Sequence, residues 1–113
     1  VGYSISDKLS KEGFEITVID ESKERLKKIS ENLDAKTIIG VPSLPSTLSA
    51  AGAKDCDILI AVTKSDETNM IACQIGHSLF EIPKKIARYF FALYIIKINK
   101  FTFINVPCFL VQI

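Results

Sequence analysis

The sequence has one histidine, three cysteines and a net charge of only +1 at neutral pH. Each shortage narrows the function. Cys56, Cys73 and Cys108 form no C-x-x-C pair and leave an odd thiol over. That argues against a disulfide scaffold or a zinc site and for a reducing compartment. His77 has no Cys or Asp at ligand or triad spacing, so packing or a surface position accounts for it better than catalysis. The near-zero charge gives no electrostatic case for nucleic acid or an anionic membrane surface. No basic segment followed by an apolar core opens the chain, so a signal peptide is not expected. No apolar run reaches the roughly 20 residues of a membrane-spanning helix. There is no internal repeat, no low-complexity linker and no initiator methionine. Val1 is therefore expected to begin a fragment whose preceding strand is absent.

The 113 residues suffice for one domain at most. Glu15–Asp20 is a short β-branched run bounded by Gly13 and by charge, and it reads as a buried strand ending on an acid. Before it, Val1, Ile5 and Leu9 form one helical stripe, with Gly13 suited to the C-terminal cap. After it, Leu26, Ile29 and Leu33 form a second stripe, with Ser22 as N-cap. Ala35–Ile39 reads as a strand closed by the turn residues Gly40-Val41-Pro42-Ser43, and Pro45 opens a short helix ending near Gly52. Residues 58–62 are apolar throughout, as in parallel strands covered on both faces. A helix is expected over about 66–79, with Ile71, Ile75 and Leu79 as its apolar face. Pro83 ends that element, and Lys85–Arg88 begins another strand. The alternation predicts an α/β fold, a Rossmann-like doubly wound and mainly parallel sheet lacking its first strand.

Residues 89–113 differ. They hold seven of the ten aromatics, two lysines (Lys97 and Lys100) and no acid. They show neither helical nor strand periodicity. The expectation is a partial nucleotide-binding domain over 1–88 and a divergent apolar tail over 89–113, either out-of-frame coding sequence or disordered. In a sheet of order 3-2-1-4-5 the absent strand is the central one. Nothing in the tail's pattern predicts that it fills that slot.

In a dinucleotide-binding βαβ unit the second strand ends on an acid that binds a ribose hydroxyl, roughly 20 residues beyond a glycine-rich turn. Counting back from Asp20 puts that turn at or before residue 1, so Val1-Gly2 would be its tail. Asp20 equally suits a cap on the following helix. Thr63, at the end of an apolar strand, suits either ligand contact or a helix cap. Lys64 reads as a loop charge or a ligand contact, and Arg88 as a phosphate contact or a solvated strand end. Asp66 and Glu67 are explained by the helix macrodipole, and Cys73 by core packing.

Several stretches carry a family resemblance: Ile16-Thr17-Val18-Ile19-Asp20, Ala51-Gly52-Ala53-Lys54-Asp55-Cys56-Asp57, the run from Ala61 to Met70, Ala72-Cys73-Gln74 and Ile86-Ala87-Arg88. From Val1 to about Arg88 the chain resembles the TrkA N-terminal domain, also called KTN or RCK, of regulatory subunits of bacterial Trk potassium uptake systems. The A-V-T-x-x-D-E-x-N-M run is the specific part. The resemblance implies binding of NAD(H), or ATP in relatives, as a signal rather than a redox substrate. It assigns nucleotide contacts to Val1, Gly2, Asp20, Thr63, Lys64 and Arg88. It further implies a non-enzymatic, homo-oligomeric cytoplasmic subunit, peripheral on the inner face of the bacterial plasma membrane. Its partner would be a membrane-embedded potassium transporter subunit. Val41 departs from the polar residue that relatives often carry there. The alternatives are a degenerate remnant that binds nothing and a piece of a Rossmann-fold oxidoreductase. The latter would need a substrate domain and an acid–base group that these residues do not supply.

Overall fold

The computed structural model describes residues 2–89, 92–96 and 108–112. The elements are α1 (Gly2–Lys11), β1 (Glu15–Asp20), α2 (Lys23–Asn32), β2 (Lys36–Ile39), α3 (Pro45–Ala50), β3 (Ile58–Ala61), α4 (Asp66–Ser78), β4 (Lys84–Tyr89), β5 (Ala92–Ile96) and β6 (Cys108–Gln112). Local chemistry sets most boundaries. Gly13 takes φ +88 in the reversal between α1 and β1, a conformation that costs glycine little. The Ser22 hydroxyl accepts from the Arg25 amide and caps α2. Pro45 sits in the first turn of α3. The Ser65 hydroxyl caps α4 by accepting from the Thr68 amide.

The strands form one sheet in the order β2-β1-β6-β3-β4-β5. β1 pairs with β2 in parallel, as β3 does with β4. Side chains alternate between two covered faces. Ile16 and Val18 meet Leu26 and Ile29 of α2, with Leu9 of α1 packed beside them. Ile19, Leu59 and Ala61 meet Leu48 of α3 and Ala72 and Cys73 of α4 on the other face. The sheet is thus wound on both sides, the expected α/β class.

Two expectations change. The fully buried face of α4 is Asn69, Ala72, Cys73 and Gly76; of the expected Ile71–Ile75–Leu79 stripe Ile75 packs against the core, while Ile71 and Leu79 are 48% and 61% exposed. Close approach of the helix to the sheet decides this. A Cβ on Gly76 would lie 2.7 Å from Leu59 Cδ2 and 3.3 Å from Ile82 Cδ1, so small residues take the closest approach to the strands, and Ile71 and Leu79 face outward.

The second change concerns the tail. Ala92–Ile96 forms an antiparallel edge strand on β4. Cys108–Gln112 forms β6, antiparallel to both β1 and β3 and lying between them. The tail therefore fills the central slot, against the sequence reading. The physical reason is the demand of the neighbours: β1 and β3 each present a ladder edge that must be paired when buried.

Leu110 sits mid-strand, opposite Thr17 on one side and Leu59 on the other. Leu110→Pro removes a ladder donor and leaves its acceptor unpaired. The expected loss is at least about 1–3 kcal/mol of unfolding free energy, read by urea denaturation. An unchanged midpoint would mean that the slot is not held by this strand.

Candidate functional site

The ends of β1, β3 and β4 define one edge of the sheet. Cys108 stands opposite Ile19 on one side and Ala61 on the other, and Ala61 stands opposite Ala87. Asp20, Val62 and Arg88 therefore share a level along the sheet, with Thr63 one residue beyond. Asp20 and Thr63 flank one intervening strand, which separates them by roughly 10 Å, two strand spacings. The two sequence-predicted residues lie on the same edge, as a shared groove requires. The turn at Gly13 reverses the chain, and α1 packs along β1. Its ten residues span about 15 Å, which brings Gly2 toward the same edge. Val1 lies outside the described residues. For Arg88 the backbone is described, opposite Leu93 of β5, but its side chain lies outside the description. Lys64 is exposed in the loop between β3 and α4.

Asp20 is 9% exposed and its carboxylate is well supplied with donors. Arg25 Nε donates to Oδ2 at 2.8 Å and Nη2 to Oδ1 at 2.9 Å. The Ser22 amide also donates to Oδ1, at 2.9 Å. Burial pushes the Asp20 carboxyl up, but the Arg25 and backbone hydrogen bonds with the Arg25 charge outweigh it and hold the group below its ordinary value. The same pair raises Arg25. The ligand and capping readings of Asp20 are compatible, since the carboxylate supports the start of α2 while standing at the strand end. The Gly40 amide donates to the Asp20 carbonyl at 3.1 Å and ties the ends of β1 and β2 together. A side chain at Gly40 would meet Thr47 Cγ2 at 2.9 Å, so glycine lets α3 close onto this edge.

Thr63 is held by Asn69. The Thr63 amide donates to Asn69 Oδ1 at 2.8 Å, and the Thr63 hydroxyl donates to the same oxygen at 2.7 Å. Asn69 Nδ2 donates back to the Thr63 carbonyl at 3.1 Å. The Ser65 amide donates to the Thr63 hydroxyl at 3.2 Å. The hydroxyl is thus engaged in shaping the loop, while the cap of α4 is Ser65 and not Thr63. What this arrangement presents at the edge is a fixed backbone leading into the N-terminus of α4, where Asp66 and Glu67 stand in the first turn.

Two residues escaped the sequence reading. Asn69 belongs to the quoted motif, but no role was assigned to it. Its signal was a polar residue on the i, i+3, i+4, i+7 stripe with Ala72, Cys73 and Gly76. Arg25 was one charge among many on α2; only its five-residue spacing from a strand-end acid marked it. Elsewhere, burial pushes the Cys73 thiol up to about 12, with the Lys85 charge opposing, which suits the expected core role. Lys85 is itself buried on β4, and its Nζ donates to the Ile82 carbonyl. No group of three or more metal-ligating side chains occurs among the described residues.

A sheet wound on both faces, with an acid and a pinned loop at the ends of two strands that run the same way on either side of β6, defines a Rossmann-like α/β domain. The chain belongs to the TrkA-N domain family, whose model matches residues 1–105. This family is a Rossmann-type nucleotide-binding domain. The chain is similar to the Trk system potassium uptake protein TrkA of Halomonas elongata, 43% identical over 107 residues that cover 95% of this chain and 23% of that protein. It is likewise 43% identical over 88 residues to the protein of the same name from Haemophilus influenzae, covering 78% of this chain and 19% of the relative. A TrkA homolog of Methanothermobacter thermautotrophicus is 31% identical over 88 residues, 78% of this chain and 40% of that protein. The chain spans about a fifth of the length of the first two relatives. Among the described residues no helix is long and apolar enough to cross a membrane.

Two outcomes test this geometry. Asn69→Ala strips partners from the Thr63 amide and hydroxyl, an expected cost of about 3 kcal/mol in urea unfolding. The Asp20 pair predicts a pH dependence. Because folding lowers this pKa, the stabilisation is complete above about pH 4, the ordinary carboxyl range, and is lost as pH falls through the lower folded value. The stability gap between the native chain and Asp20→Asn should stay level from about pH 5 to 8 and close below about pH 4. A gap that stays constant down to the acid transition would contradict the pairing.

Proposed function

We propose that the chain is the nucleotide-sensing part of a Trk-type potassium uptake regulatory protein. The reading rests on one observation above the others: Asp20 stands at the end of β1 on the same sheet edge as the Thr63 loop, the position at which open α/β sheets bind ligands. NAD(H), or ATP, lies across that edge as a signal and is not turned over. Asp20 accepts from a ribose hydroxyl. The Lys64 loop, the start of α4 and Arg88 face the phosphates, together with Gly2 at the start of α1. The parent assembly is a cytoplasmic homo-oligomer on the inner face of the plasma membrane. Bound nucleotide acts on a membrane-embedded potassium transporter subunit through its different affinities for two domain arrangements.

One observation favours a second reading, in which the chain binds no nucleotide. β6 enters the sheet at this edge, beginning with Cys108 between β1 and β3. The family resemblance leads one to expect a glycine turn there, with its backbone amides.

Titration of the full chain with NADH, followed by nicotinamide fluorescence, decides between them. Saturable binding that Asp20→Ala weakens about tenfold or more, the weight of a hydrogen bond to a charged group, supports the sensor. Flat titrations at millimolar protein with NADH and, by calorimetry, with ATP establish the second reading.

A further inference from the structure

Resting on the ribose-binding reading of Asp20, we propose that Arg25 is a specificity-determining residue that lets the ribose end of the crevice accept a 2′-phosphorylated ribose as well as a free diol. A strand-end carboxylate ordinarily selects the diol in two ways. It takes both hydroxyls as donors, and its charge repels a 2′-phosphate; a nearby arginine accommodates that phosphate instead. Here one site holds both groups.

The acceptor count of Asp20 limits what it offers a diol. A carboxylate has about four lone-pair positions. Oδ1 already accepts from the Ser22 amide and from Arg25 Nη2, and Oδ2 from Arg25 Nε. At most one position on Oδ2 is left, enough for a single hydroxyl, and the Glu21 amide also bears on the carboxylate. The two-handed grip that favours an unphosphorylated ribose is therefore lost. The charge is compensated as well, since the guanidinium lies against both oxygens at 2.8 and 2.9 Å.

Arg25 meanwhile retains capacity. Its side chain is 61% exposed, against 9% for that of Asp20. The fork uses only the Nε and Nη2 side, so Nη1 and the second Nη2 hydrogen point away from the carboxylate. These are planar donors of the kind that bind phosphate oxygens. They stand beside the atom that receives the ribose hydroxyl, where a 2′-phosphate would project.

The test is titration of the full chain, Arg25→Met and Arg25→Lys with NADH and NADPH by fluorescence, with far-ultraviolet circular dichroism to confirm folding. The native chain should bind the two within about tenfold of each other. Arg25→Met frees the Asp20 charge and removes the donors, so the preference should move toward NADH by about tenfold or more. Arg25→Lys, which keeps the charge, should restore part of the NADPH affinity. If NADH binds and the ratio is the same in Arg25→Met, this inference falls and the sensor reading stands. If the native chain already rejects NADPH while binding NADH, the inference falls likewise. Binding of neither dinucleotide overturns this inference and the NAD(H) form of the sensor reading.

Discussion

Two strands that do not touch, β1 and β3, are held in one sheet by a third strand between them. Everything at the site depends on that joint. β1 carries α2, β2 and Asp20; β3 carries α4, β4 and the Asn69-pinned loop. Without a strand in the slot, each half would expose a ladder edge in the middle of the molecule, and each buried amide or carbonyl left unpaired costs about 1–3 kcal/mol. β6 pairs with both edges at once, from Glu15 to Ile19 on one side and from Ile58 to Ala61 on the other. A continuous sheet then lies between two apolar layers.

The local parts of this structure were legible because local chemistry specifies them. Ser22 and Ser65 announce helix starts, Gly13 a reversal, and the β-branched run before Asp20 a buried strand. The acid was placed at a strand end by reading alone, and the structure puts it there. The face of α4 was not legible. Hydrophobicity marks Ile71 and Leu79, but helix-on-sheet contact at Gly76 is decided by volume, and the residues that fit are small. The role of β6 was hidden for another reason. Strand order is a non-local property, and the reason to fill the slot lies in β1 and β3, not in the five residues that fill it. Arg25 was hidden because a helix surface rich in Lys and Glu gives no sign of which charge has a buried partner.

Asn69 and Asp20 solve one problem in different ways. Each is a buried polar group near the edge where the strands end, and such a group is costly unless its hydrogen bonds are made. Asn69 engages Thr63 with both ends of its side-chain amide, and the result is a loop of fixed shape. Asp20 takes its donors from the start of α2. The first arrangement fixes the backbone at the sheet edge; the second is where the proposed ribose contact would be made. That asymmetry explains why Thr63 reads better as framework than as a contact, although both residues stand at strand ends.

The position of the joint also gives a nucleotide a mechanical consequence. A ligand lying across the edge, as proposed, touches Asp20 on one half and the Thr63–Lys64 loop on the other, so it binds only when the two halves are aligned. Its binding free energy then adds to the alignment, by about 2.7 kcal/mol at a hundredfold excess over the dissociation constant. A ligand that touched one half alone would add nothing to the alignment, however tightly it bound, because only differential affinity shifts an equilibrium. The antiparallel strand in the middle is thus the element on which such coupling must act: it sets how firmly the halves are joined before any ligand arrives, and so how much of the ligand's binding energy is left to change their arrangement.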